Sequence, residues 1–250
     1  MANKNSNSKL TILMRHHPGE AQLETAAIDA WNSQLTYAEL NNLPWSFGAY
    51  LDSYGVGPEV FVPLCLERSS WVPLAMLSVL IAGGAFVLLD ALHPIQRMKE
   101  VCSTVKATLI VTSKGNIANV AKLGLQMILT DDMAVWSKEN GILKAKVKPT
   151  NAAYAMFTPG RTGTPKWVVL EHRSYSTSAL AHSSATDMQS GSRVLDFASY
   201  AFDGSIIGTS TALIMGRCVC IPSEVDRKRD LAGASRQLGV TWAIITYLSA

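Results

Sequence analysis

Strand-sized apolar runs alternate with helix-sized segments along almost the whole chain. The first helix opens in Leu-Thr-Tyr-Ala-Glu-Leu at 35–40, where Thr36 and Glu39 stand at capping-box spacing and Gly55 offers a left-handed stop. Pro44 falls inside it and removes one backbone donor, which predicts a kink or a restart. A strand over 60–66, a helix over 70–82 closed by Gly83, and a buried strand over 85–89 ending at Asp90 follow. Pro94 stands at the favoured first position of the next helix. Strands over 107–112 and 126–130 lead into a polar connection over 131–150. Beyond it come strand-like runs at 154–157 and 167–170, a helix over 174–184, a strand over 193–199, a helix over 203–215, a strand over 217–221, a helix over 226–238 and a strand over 241–246. Such alternation implies a layered α/β fold: mostly parallel sheets with helices on both faces, and ligands at the carboxyl ends of the strands. No internal repeat is visible.

Charge sharpens this picture. Residues 69–89 carry none, which by length alone would suit a membrane span. Gly83-Gly84 divides the stretch into a helix-sized and a strand-sized piece, so a buried helix-turn-strand is the reading and no membrane partner is expected. With 48% apolar and 16% charged residues in 250, the composition is globular. The net charge of +3 and the absence of any basic run longer than Arg227-Lys228-Arg229 argue against nucleic acid. Cys65, Cys102, Cys218 and Cys220 are scattered; the last two share a strand face and lack a zinc spacing, so all four read as reduced core residues of a cytoplasmic protein. The polar start has no apolar core and suggests no secretory signal. The polar start, residues 1–23, is expected to form an irregular tail, and the length of 250 residues allows one large or two small domains.

The richest chemistry lies between the runs at 154–157 and 167–170. Gly160 and Gly163 let backbone approach an anion, hydroxyls at Thr158, Thr162 and Thr164 can donate, and Lys166 with Arg161 adds positive charge. This composition suits a polyphosphate, and it equally suits an ordinary Gly/Pro hairpin loop. A Walker-type loop is excluded, because Thr164 and Pro165 separate Gly163 from Lys166 and Trp167 follows.

The stretch resembles the phosphate-binding loop of adenylate-forming enzymes, usually Tyr-Thr-Ser-Gly-Ser-Thr-Gly-x-Pro-Lys-Gly. Phe157, Thr158, Gly160, Thr162, Gly163, Pro165 and Lys166 fit, while Pro159, Arg161 and Trp167 depart. Other segments resemble the adenylation domains of fungal nonribosomal peptide synthetases in particular. These are the block at 35–40, Val-Gly-Pro-Glu-Val-Phe-Val-Pro-Leu-Cys at 56–65, Leu-Ile-Ala-Gly-Gly-Ala-Phe-Val-Leu-Leu-Asp at 80–90 with His93-Pro94, Phe-Ala-Ser-Tyr-Ala-Phe-Asp-Gly-Ser at 197–205, and Gly-Val-Thr-Trp-Ala at 239–243.

That resemblance implies an ATP-dependent, Mg²⁺-assisted ligase that makes an aminoacyl-adenylate and passes the acyl group to a carrier-protein phosphopantetheine thiol. Thr158, Gly160, Thr162, Gly163, Thr164 and Lys166 would surround the leaving pyrophosphate. Asp203 would pair with the amino acid's ammonium, and Gly204, Ile207 and Ile244 would line its side-chain pocket. From the residues alone, Asp203 is as well read as a helix cap and Asp90 as a turn cap.

The resemblance also implies that 24–250 is the N-terminal part of an AMP-binding domain, without its C-terminal half, its adenine- and Mg²⁺-contacting segment or its small lid domain. Such a fragment would be inactive alone and would leave unpaired strand edges and uncovered apolar faces. A non-catalytic binding module and an acyl- or aryl-acid-activating relative stay open as alternatives.

Overall fold

The computed structural model describes residues 23–137, 143, 147–158, 166–200 and 202–245. It begins with a hairpin that the hydrophobic pattern does not announce, β1 (Ala26–Ala30) against β2 (Ser33–Thr36). Thr36 then caps α1 (Tyr37–Ser53). Its hydroxyl accepts from the Glu39 N–H at 3.2 Å, and the Glu39 carboxylate accepts from the Thr36 N–H at 2.8 Å, which closes the capping box. α1 runs through Pro44 as one helix, so of the kink or restart expected there the restart does not occur, and Gly55 just beyond the helix takes a φ of 84°.

β3 (Phe61–Cys65), α2 (Trp71–Ala82) and β4 (Ala85–Leu89) fall where the pattern places them. α3 (Ile95–Thr104) starts one residue after Pro94, which serves as its cap rather than its first residue. After β5 (Leu109–Thr112), α4 (Ile117–Val120) and β6 (Gln126–Leu129) comes α5 (Met133–Trp136), inside the stretch read as a polar connection. It buries Trp136 completely, and the indole N–H donates to the Thr130 carbonyl at 2.9 Å.

The second half holds β7 (Ala152–Thr158), β8 (Lys166–Glu171), α6 (His172–Ala185), β9 (Arg193–Leu195), α7 (Asp203–Ile214) and β10 (Cys218–Ile221). β9 stops four residues short of the expected 199. The single helix expected over 226–238 is two, α8 (Glu224–Arg229) and α9 (Leu231–Gln237). Asp230 leaves the helical region at φ −147°, ψ 63°, and its carboxylate accepts from the Gly233 N–H at 2.8 Å to cap the second. β11 (Trp242–Ala243) follows; Thr246, the end of the strand expected there, lies outside the described residues.

The strands form two sheets, ordered β11-β9-β10-β1-β2 and β6-β5-β3-β4-β7-β8. Every neighbouring pair is parallel except the hairpins β1–β2 and β7–β8. α1, α2 and α7 lie between the sheets: Phe47, Leu74, Leu80 and Ile214 pack toward the six-stranded sheet, while Leu40, Leu77 and Leu213 pack toward the five-stranded one. Placed there, α2 needs no polar face, and every one of its residues after Trp71 is buried. This accounts for the uncharged stretch 69–89. Among the described residues no helix is long and apolar enough to cross a membrane. On the far side of the six-stranded sheet, Met98, Val101 and Cys102 of α3 pack on Cys65, Val87 and Ile110.

All four cysteines are free and buried. One edge of the six-stranded sheet is β8, where Trp167, Val168 and Val169 stay 40–45% exposed, and no strand pairs with its outer side among the described residues.

Where α1 meets α2, Gly48 permits the approach: a Cβ there would lie 2.9 Å from Ile81 Cγ2 and 3.0 Å from the Ser78 carbonyl oxygen. Gly48→Ala is expected to lower stability by about 1–2 kcal/mol in urea unfolding, although alanine is the better helix former by about 1 kcal/mol.

His172, the first residue of α6, is fully buried, and neither ring nitrogen has a hydrogen-bond partner. Burial holds its pKa at about 4, down from 6.5, against a weaker opposite pull from Glu59. The folded state therefore resists a proton that the unfolded chain accepts. The stability contributed by the neutral ring is complete above pH 6.5 and falls as pH drops toward 4. The loss reaches at most about 3 kcal/mol, and His172→Leu should flatten that part of a urea-midpoint profile against pH.

Candidate active site

β7 joins its sheet through Tyr154, opposite Phe86 on β4, and pairs antiparallel with β8 up to Thr158 opposite Lys166. The two ends of the Gly/Thr loop are thus cross-strand partners at the carboxyl end of β7. Gly160, Thr162, Gly163 and Thr164 lie between them, outside the described residues. Trp167, which stands where the resembling family has glycine, is accommodated by other aromatic rings. It meets Phe61 edge-on at 5.3 Å and stacks near Phe157 at 6.4 Å.

α7 presents Asp203. The residue before it, Phe202, is extended (φ −116°, ψ 148°) and is the N-cap, without a side-chain capping bond. Asp203 is therefore not the capping side chain; it is an exposed first helical residue, in the turn whose N–H groups favour negative charge. Its carboxylate is felt at Tyr154: burial pushes that phenol up, and Tyr175 and Asp203 push it further. Tyr154 is four residues before Thr158, about 13 Å along an extended strand. Tyr175 of α6 fixes the helix by donating to the Ile206 carbonyl at 3.2 Å and sharing a hydrogen bond with Thr211 at 3.1 Å.

Gly204 and Ile207 are half-buried in the same turn of α7 as Asp203, and a Cβ on Gly204 would only touch Ala198 at 3.5 Å. Ile244, also half-buried, follows β11, which pairs beside β9, so it sits at the same carboxyl end as the segment leading into α7.

Residues 196–200 of that segment are held by a polar network invisible to pattern reading. Arg68, beyond the end of β3, donates to the carbonyls of Asp196 at 2.8 Å and Ala198 at 2.6 Å, and pairs with the Asp196 carboxylate at 2.9 Å. Both side chains are under 5% exposed. Desolvation pushes the Asp196 carboxyl up, opposed by Arg68 and by the Tyr200 hydroxyl that donates to it at 3.1 Å. Arg227, whose hydrogen bond holds Glu224 down at about 2, also donates to the Phe197 carbonyl at 3.5 Å. Asp90 accepts from Leu92 N–H at 2.9 Å, the turn cap expected of it, and from the Ser199 hydroxyl at 2.7 Å.

These contacts bring the carboxyl ends of β3, β4, β9 and β10 around a cleft of about 190 Å³, lined in part by Glu67, Arg68, Asn116, Tyr200, Glu224 and Arg227. A narrower slot beside it is walled by Leu88, Met156, Phe157, Tyr200 and Ile206, with Arg97 lying 5.7 Å over the Phe157 ring. Among the described residues no group of three or more His, Cys, Asp or Glu could hold a metal ion.

Residues 15–247 match the family described as AMP-binding enzyme. The nonribosomal peptide synthetase TES of Alternaria alternata is 44% identical over 230 residues, which is 90% of this chain and 4% of that protein. The N-benzoylphenylalaninol synthetase apmA of Penicillium brevicompactum is 43% identical over 226 residues, again 90% of this chain and 10% of the relative. The chain thus spans a small part of the curated relatives it matches. In three dimensions it is similar to the nonribosomal peptide synthetase FmoA3 in its alpha-methyl-L-serine-AMP bound form, with TM-score 0.78 and 24% identity over 93% of this chain and 26% of that one. It is also similar to VinN in complex with L-aspartate, with TM-score 0.81 and 18% identity over 94% of this chain and 61% of that one. At these identities the structural likeness speaks for the fold.

Proposed function

Because the chain belongs to the AMP-binding enzyme family, we propose that it supplies the phosphate loop and the ammonium contact of an ATP-dependent amino-acid-activating ligase serving nonribosomal peptide synthesis. One observation carries this reading: β7 carries Tyr154, whose ring meets at 5.5 Å the Tyr175 that anchors the first turns of α7 at Ile206, and β7 ends at the Thr158–Lys166 pair that frames the loop. Tyr154 lies about 13 Å along the strand from the end that frames the cationic Gly/Thr loop, a span that suits an amino acid held near α7 and laid end-on to a triphosphate.

In this reading a carboxylate oxygen of the amino acid attacks the α-phosphorus of ATP, the bond to the bridging oxygen breaks, and pyrophosphate leaves with that electron pair. Positioning and charge neutralisation supply most of the rate in such chemistry. Thr158, Gly160, Thr162, Gly163, Thr164 and Lys166 hold the leaving pyrophosphate, and Asp203 holds the ammonium. Gly204, Ile207 and Ile244 bound the side-chain pocket. Mg²⁺ carried in by the nucleotide would supply further neutralising charge at the phosphates. The acyl group then passes to a carrier-protein phosphopantetheine thiol. A substrate acid without an amine would leave Asp203 without a counter-ion, which disfavours the acyl- or aryl-acid reading.

The test is amino-acid-dependent ATP–pyrophosphate exchange by the native protein purified from its source cells. Asp203→Ala should raise the amino-acid KM about a hundredfold, the loss of one charge-assisted hydrogen bond. Lys166→Ala should lower kcat by about 10²–10³. Exchange driven only by acids lacking an amine, or an unchanged KM in Asp203→Ala, would overturn the proposal. Absence of exchange from the native protein would favour the binding-module alternative.

A further inference from the structure

Asp203 is exposed and its helix starts without a side-chain cap, so something outside α7 must set where that carboxylate stands. We infer that Arg68 is a positioning residue that clamps segment 196–200 and so fixes the approach of Asp203 to the substrate ammonium; the inference rests on the role proposed for Asp203 above.

Segment 196–200 has no regular secondary structure, and its course depends on side chains from elsewhere. Beside the Arg227 bond to the Phe197 carbonyl and the Ser199 bond to Asp90, one guanidinium makes several contacts at once. It takes two carbonyls of the segment, pairs with its carboxylate and lies 4.6 Å over the Tyr200 ring, while the Tyr200 hydroxyl donates to the same carboxylate. Arg68 is itself held: the Trp31 indole N–H donates to its carbonyl at 2.7 Å, and Glu224 lies 3.5 Å from its Nε. One oxygen of Asp196 already lacks a hydrogen-bond partner, so without Arg68 that buried carboxylate would keep only Tyr200. Losing Arg68 leaves an uncompensated carboxylate and also orphans the Asp196 and Ala198 carbonyls, which find new partners if the segment swings toward water. Because the Phe202 N–H donates to the Ser199 carbonyl at 2.9 Å, and Asp203 is the next residue, that movement shifts the ammonium contact. The second anchor of α7, Tyr175 on the Ile206 carbonyl, lies a turn further on and does not restrain this entry.

The experiment compares wild type, Arg68→Met and Arg68→Lys by amide hydrogen exchange over 197–206 and by ATP–pyrophosphate exchange. Arg68→Met should speed hydrogen exchange there about tenfold and raise the amino-acid KM about tenfold, with the ATP KM within about twofold. Arg68→Lys, which keeps the charge but not the fork, should recover part of both effects. Equal shifts in both KM values, or hydrogen exchange unchanged in Arg68→Met, would overturn the inference. Should Arg68→Met fail to fold, Tyr200→Phe removes only the hydroxyl bond and should speed hydrogen exchange over the same amides about threefold; unchanged rates would again overturn it. If the wild-type protein catalyses no amino-acid-dependent reaction, the role given to Asp203 falls by itself, and hydrogen exchange still decides the clamp.

Discussion

The whole arrangement depends on having apolar surface on both sides of α2. A helix with no polar face is unstable against water on any side, so it requires a sheet below and a sheet above. That requirement accounts for the two-sheet architecture better than strand alternation does, since alternation alone would be satisfied by one sheet with helices on both faces. Once α2 is enclosed, the strands on either side run into loops at a shared end, and the polar groups of those loops face one another across the cleft.

Charge is scarce in this protein, and some of it is spent at that shared end. Arg68, Asp196, Glu224 and Arg227 form one connected set in which carbonyl oxygens do as much of the holding as carboxylates. A buried ion pair is weak evidence of net stability, because desolvating two charges can cost as much as their attraction returns. Its effect here is directional. The guanidinium fork satisfies carbonyls that no strand or helix takes up, and it therefore specifies a loop that backbone hydrogen bonding leaves open.

Much of the fold is legible in the sequence wherever a local signal is strong. The capping box at Thr36, the Gly83 stop and the uncharged run 69–89 each name their element, and the alternation names the class. What stays hidden is non-local. β1 and β2 are short, and β1 gains its parallel neighbour only from β10, so no nearby residue reports it. The break at Asp230 did carry a signal, an aspartate three residues before a glycine N–H it could cap, but a continuous helical pattern masked it. Of the site, the loop residues and Asp203 stand out by composition and resemblance. Arg68 and Asp196 do not, because a lone charge just past a strand end looks like any solvated loop residue until the other sheet closes over it.

The pairing of β1 with β10 has a temporal side. Ile28 faces Val219, about 190 residues away along the chain, and such a contact forms only after a long loop has been closed. On a ribosome the six-stranded sheet can assemble from material already made, while the β1–β2 hairpin waits with one edge open for a strand not yet synthesised. The order of assembly is then set by geometry: the half that carries α2 and the Gly/Thr loop comes first, and the sheet that positions the segment before Asp203 is completed last.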